Sequence, residues 1–224
     1  MLINPLKIPV YYINLDEDTE RNIAVVKRLT NYGFPQDLVS RISGIRKPGI
    51  PQDSVFIGCF HSQLKALKEG LSKGVPFMVL EDDVAVNQIP EILDLPEDTD
   101  VLYIGVSSWA FTPESEMNLA THGRIIKDRF NNDIVRIFNM LSSHAILYAN
   151  MEYVQSLVNE LEKNLSGVPI VANNLGTPMR YYNGIQLPVD VIMANQQYKG
   201  KAYALRNPIF YQDDKHKYCT LITL

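Results

Sequence analysis

The chain has 224 residues, 46% hydrophobic and 21% charged, with a formal net charge of −4. That composition fits an ordinary globular protein with one sizeable core, and a single domain over 1–224 is expected. No long basic run occurs, which argues against nucleic acid as a partner. The two cysteines, Cys59 and Cys219, form neither a CxxC pair nor a zinc spacing, so a reducing compartment is expected. No long apolar stretch precedes the first strand and no apolar run reaches the length of a membrane span. The default expectation is a cytoplasmic protein, with peripheral membrane contact left open.

In chain order, "VYYINL" (10–15) reads as a buried first strand, and "DEDTERN" as a polar turn. Apolar residues at Ile23, Val26, Leu29 and Tyr32 have helical spacing, closed by Gly33 as a C-terminal cap. "LVSRISGI" (38–45) is a second strand, and "RKPGIPQD" (46–53) a loop. In "DSVFIGCFHSQLKALKEGLSKG" (53–74), Phe56, Phe60, Leu64, Leu67 and Leu71 share one helical face, with Gly74 to end it. "PFMVL" (76–80) and "DVLYIG" (100–105) are further strands, Pro76 standing where proline is tolerated. The order β-α-β-α-β-β predicts an α/β sandwich with a mostly parallel central sheet.

Residues 106–133 are polar and aperiodic and predict a long excursion or hairpin over the sheet. "IVRIFNM" and "SSHAILYA" return to strand character. "NMEYVQSLVNELEKN" predicts a helix with Asn150 as N-cap. "LPVDVIMANQQYKG" gives a short helix, and "AYALRNPIFYQ" one last strand.

The chemistry is concentrated in "FMVLEDDVAVN" (77–87), where an apolar strand ends in Glu81, Asp82 and Asp83. Three adjacent carboxylates repel one another and resist burial. Ligands of open α/β sheets sit outside the carboxyl ends of the strands. A hard divalent cation, Mn²⁺ or Mg²⁺, would offset the charge through oxygen ligands. The plainer alternative is a solvated turn whose acids cap the next segment.

"VYYINLDEDTERN", "GCFHSQLKALKEG", "FMVLEDDV", "DVLYIG", "SSHAILYANMEYVQSLV" and "LPVDVIMANQQ" follow one another in an order and spacing that resembles glycosyltransferase family 25, the lipooligosaccharide and procollagen galactosyltransferase-like enzymes. The likeness runs from about residue 10 to residue 212. It implies a GT-A fold, a Rossmann-like three-layer sandwich, and direct transfer of galactose or glucose from a UDP-sugar or similar donor to a glycan acceptor, with inversion. It also implies a metal bound at the acidic motif, with Asp83 as the direct ligand and Glu81 or Asp82 reaching the ribose or a metal-bound water. Glu81 and Asp83 have the D-x-D spacing.

By the same resemblance, Asn14, Asp16 and Arg21 contact the nucleotide, as does Ser62. Arg21 has Glu17 and Asp18 as alternative partners. Gln63 stands where the family shows histidine, which removes a titratable group from that position. Asp190, in a Pro-Val-Asp element, is the candidate base for the acceptor hydroxyl, or else a helix cap. His216 is a candidate further metal ligand, against an exposed tail histidine. His144 reads more simply as a core histidine. Trp109 is a candidate stacking platform for an acceptor sugar, against simple packing. Two other classes stay open: a non-catalytic glycan-binding relative and a metal-dependent phosphohydrolase.

Overall fold

The computed structural model describes residues 1–46, 51–105, 124–131, 133–138, 140–166 and 188–212; for 51–56 and 124–129 it describes the backbone alone. The strands are β1 (Leu2–Ile3), β2 (Val10–Asn14), β3 (Val39–Ser43), β4 (Phe77–Glu81), β5 (Val84–Val86), β6 (Leu93–Asp94), β7 (Val101–Tyr103), β8 (Arg124–Arg129), β9 (Ile134–Phe138), β10 (Ala145–Tyr148), β11 (Ala202–Leu205) and β12 (Phe210–Gln212). The helices are α1 (Thr19–Asn31), α2 (Pro51–Lys73), α3 (Met151–Leu165) and α4 (Val189–Gln196).

Eight strands form the main sheet in the order β3-β2-β4-β10-β7-β11-β9-β8. β2 is parallel to both β3 and β4, and β11 is parallel to β7. β10 runs antiparallel to β4 and β7, and β9 antiparallel to β11 and β8. Six of the eight strands therefore point the same way, but only three of the seven pairings are parallel. The sheet is mixed, because β10 and β9 each run against both of their neighbours.

Two apolar layers follow from the period-two alternation of the strands. Tyr11, Phe77, Val79, Tyr103, Ile146 and Tyr148 pack on one face with Phe60 and Leu67 of α2, Leu157 and Leu161 of α3, and Ile192 of α4. Val10, Tyr12, Met78, Leu80, Leu102 and Leu147 pack on the other with Val25 and Leu29 of α1 and Phe210 of β12. β4 is apolar on successive residues because both its faces are covered, as expected of a central strand.

The helix ends agree with their sequence signals. Gly33 (φ 87°) and Gly74 (φ 67°) take the left-handed conformation after α1 and α2. Asn150 accepts the Glu152 N–H at the start of α3. The hairpin alternative for 106–133 fits β8, which pairs antiparallel with β9 at the edge of the main sheet. Other expectations change: α2 begins at Pro51, inside the stretch read as a loop over 46–53. The single last strand becomes two, β11 in the main sheet and β12 paired antiparallel with β5 in a separate two-stranded sheet. The "RNP" segment between them contains Pro208, which cannot donate to a ladder.

α2 is seated closely on β4. A Cβ added at Gly70 would lie 2.3 Å from the Phe77 ring, which is itself buried. Gly70→Ala should therefore destabilise the protein by about 1–3 kcal/mol, the usual cost of overpacking. Urea unfolding with an unchanged m-value checks this.

Candidate active site

The site forms where β2 and β4 end side by side. Parallel pairing sets Ile13 against Glu81, so Asn14 and the Glu81-Asp82-Asp83 corner share one edge of the sheet. β10 enters the same edge from the opposite direction, with Ala145 opposite Leu80, which places Ser143 and His144 beside the corner. Asp82 and Asp83 make the tight turn from β4 into β5, forced because β5 leaves the main sheet to pair with β12.

Flanking strands draw the carboxylates apart. On the β10 side, Glu81 Oε1 accepts from Ser143 Oγ at 3.0 Å and Gln63 Nε2 at 3.3 Å. On the β2 side, Asp82 Oδ2 accepts from Asn14 Nδ2 at 2.7 Å, and Asp82 Oδ1 pairs with Arg21 Nη1 at 3.3 Å. Asp83 Oδ2 accepts from Gln212 Nε2 of β12 at 3.3 Å. These donors reduce the repulsion without removing it. Desolvation, then the charge of Asp83, pushes the Glu81 carboxyl up to about 7, against the pull of the Ser143 and Gln63 hydrogen bonds; Asp190 adds a further push.

Asp190 stands at the start of α4, 109 residues beyond Glu81 in the chain, near enough for its charge to act on Glu81 and Cys59. It is the second residue of that helix; Pro188 occupies the cap position, so the cap alternative does not hold. Its Oδ1 accepts the Val191 N–H at 2.9 Å. Burial raises its pKa, and backbone N–H groups partly offset the rise. Cys59 of α2 is exposed beside the same acids. Partial desolvation, followed by the charges of Glu81, Asp190, Asp83 and Asp82, pushes its thiol up to about 11, which makes it a poor nucleophile.

The other sequence candidates divide. Asn14 is buried at the corner, and Arg21 pairs with Asp82 rather than with Glu17, which instead meets Arg46 at 2.8 Å. Asp16 lies on the exposed rim, held by Ser43 Oγ at 2.9 Å to each carboxylate oxygen and by Arg41. The Ser62 hydroxyl is used inside the protein: it donates to Gly58 O at 2.7 Å and accepts from Ile45 N at 2.8 Å, tying α2 to the chain after β3. His144 is a buried core residue, its Nδ1 3.0 Å from Ser142 Oγ. Trp109 and His216 lie outside the described residues.

Sequence reasoning missed Ser143 and Arg41 and gave Gln63 only a negative role. Ser143 sits inside a quoted motif as a plain hydroxyl and Arg41 on a strand with exposed positions, and only strand register sets them beside the acids and Asn14. Among the described residues no three His, Cys, Asp or Glu side chains converge to hold a metal ion. Among them, too, no helix is long and apolar enough to cross a membrane.

No family model matches the chain, and no curated protein matches it. Solved structures do match, among them a crystal structure of a glycosyltransferase involved in the glycosylation of the major capsid of PBCV-1. That likeness has 11% identity and a TM-score of 0.37, and covers 88% of this chain and 92% of the other. A TM-score of 0.37 leaves both the fold family and the activity of this chain to be argued from its own residues.

The raised Glu81 carboxyl has a consequence for stability. Its folded value, about 7, exceeds its ordinary 4.5, so the folded protein holds this proton more tightly than the unfolded chain does. The associated stability is fully present below pH 4.5 and is lost as pH rises through about 7. In EDTA, Glu81→Gln should remove that loss. Its stability relative to wild type should rise by roughly 1–3 kcal/mol between about pH 5 and pH 8, measured by urea unfolding.

Proposed function

We propose that the chain is a metal-dependent glycosyltransferase of GT-A organisation. It would transfer a hexose, galactose or glucose, from a UDP-sugar or similar donor to a glycan acceptor with inversion. One observation carries the reading: Glu81, Asp82 and Asp83 stand together at the edge where parallel strands β2 and β4 end, among hydrogen-bond donors from β2, α2 and the segment before β10. Ligand sites of open α/β sheets lie at such edges. The family 25 likeness of the motifs belongs to this same proposal.

Two carboxylates, Glu81 and Asp83, are the donor set that would hold a divalent cation, short of a three-ligand protein cage among the described residues. Glu81 and Asp83 retain mutual repulsion after their neutral donors are counted, and carboxylate oxygens suit Mn²⁺ or Mg²⁺. Mg²⁺ in phosphate-transfer sites is usually held by one or two carboxylates, waters and the substrate's own phosphates, rather than by an all-protein cage. Asp83 and Glu81 would hold the ion, with His216 as a further candidate ligand. Once bound, the ion supplies charge neutralisation to the leaving diphosphate.

The remaining roles belong to the chain. Asn14 and Arg21 hold Asp82 in place at the nucleotide side, and Asp16 offers the exposed rim. Asp190 takes the proton of the acceptor hydroxyl as that oxygen bonds to the anomeric carbon; the bond from that carbon to the diphosphate breaks, and the nucleoside diphosphate leaves. A carboxylate whose pKa is raised by burial is better matched to that task than a solvated one. Trp109 would face the acceptor sugar.

Calorimetry of UDP with Mn²⁺ and with EDTA tests the reading, and equal affinity in both conditions would overturn it. Asp83→Ala should lose most of the metal-dependent binding. Asp190→Asn keeps the shape and should lower kcat by about 10²-fold or more while leaving donor affinity unchanged. Trp109→Ala should raise the acceptor KM and spare donor binding; unaltered acceptor kinetics would remove Trp109 from the site.

A further inference from the structure

Arg41 lies on β3, opposite Tyr12 of β2. Its side chain is 32% exposed at the rim of the sheet. Its guanidinium nevertheless reaches inward. Nε donates to Asn14 Oδ1 at 3.1 Å, and Nη2 lies 3.3 Å from the Asn14 backbone oxygen and also meets Asp16. Asn14 is buried, and every polar atom of its side chain is engaged: Oδ1 by Arg41, Nδ2 by Asp82 Oδ2 at 2.7 Å and by Asp18 O at 3.1 Å.

A carboxamide has almost the same shape in its two flipped orientations, but one end only accepts and the other only donates. Its neighbours decide which end faces which way. Arg41 carries donors alone, so it can meet only Oδ1. That leaves Nδ2 toward the Asp82 carboxylate. The opposite orientation would set two N–H groups against the guanidinium and an oxygen against a carboxylate.

We propose that Arg41 is a positioning residue that, through Asn14, sets the orientation of the Asp82 carboxylate at the donor site. The proposal rests on the glycosyltransferase reading for the identity of the ligand. With Asn14 so oriented, Asp82 is drawn toward β2 while Glu81 is drawn toward β10, and the two adjacent acids present separate faces to a bound nucleoside diphosphate and its cation. Arg41 acts without touching that ligand. The planar guanidinium meets Asn14 Oδ1 through Nε and the Asn14 backbone oxygen through Nη2, two nitrogens at fixed separation, which the single nitrogen of an ammonium on a flexible stem does not reproduce.

The test is a double-mutant cycle read by calorimetry of UDP with Mn²⁺. Arg41→Met should weaken binding by at least about fivefold, within the coupling range of residues in one hydrogen-bond network. Asp82→Asn should also weaken it. The double variant should be no weaker than the worse single variant within about twofold, because both changes break the same relay. Additive losses would overturn the relay and make Arg41 a direct ligand contact.

Arg41→Lys keeps the rim charge and removes the fork. It should show the same loss as Arg41→Met, and wild-type affinity in it would overturn the proposal. A second readout needs no ligand: the Asn14 side-chain amide signals in a ¹⁵N spectrum, identified by their loss in Asn14→Asp. Their exchange with solvent should be slow in wild type and faster in Arg41→Met and Arg41→Lys. Unchanged exchange in both variants would overturn the relay. Failure of the wild-type protein to bind any nucleoside diphosphate with Mn²⁺ would overturn the glycosyltransferase reading, and with it the relay's donor-site role.

Discussion

Like charges crowded at the end of a buried strand are the constraint on which the rest of this molecule turns. β4 is apolar on both faces and a shift in its register would draw Glu81 into the apolar interior, so the acids that follow are delivered to a fixed point. Each neighbour then answers that charge. β2 brings Asn14, the segment before β10 brings Ser143, α2 brings Gln63, α1 brings Arg21 and β12 brings Gln212. Neutral amides and a hydroxyl do most of this work. They relieve the carboxylates by hydrogen bonding without neutralising them, which keeps negative charge available for a ligand.

The antiparallel β10 is part of that solution. A parallel strand beside β4 would present its own carboxyl end at this edge. β10 instead presents the residues that precede it, and Ser143 supplies a hydroxyl donor to Glu81. The same reversal carries the Ser143 backbone oxygen to within 3.2 Å of Gln63 Nε2, so one amide bridges two strands. Among the described residues Gln63 Oε1, which is buried, has no hydrogen-bond partner.

Much of the fold was legible in the sequence, wherever one local signal sufficed. The run from Phe77 to Leu80 announced a strand covered on both faces, Gly33 and Gly74 announced helix ends, and Asn150 announced the start of α3. The acid triplet stood out because carboxylates beside an apolar run demand an explanation, and Asp190 stood out through the resemblance of its Pro-Val-Asp element. Pairing was not legible. Nothing local in "SSHAILYA" states that it will run against its neighbours, and nothing in "IFYQ" states that it will leave the main sheet for β5. Arg41 escaped notice for the same reason. A lone arginine on a strand with exposed positions reads as a solvated charge until the register sets its strand beside Asn14.

The position of β10 in the sheet also bears on how the chain reaches this structure. β2, β3 and β4 are joined by local crossovers and can pair early. The strand that covers the other side of β4 arrives only at residue 145, after β7 and β9 have passed in the chain. Until then the inner edge of β4, the most apolar strand of the molecule's first half, has unpaired N–H and C=O groups and offers itself to any other strand. Closing the sheet through so long a loop is slow compared with forming local contacts. A nascent chain stalled before β10 would thus hold a sticky half-sheet, and β10 converts two separate strand sets into one cooperative unit.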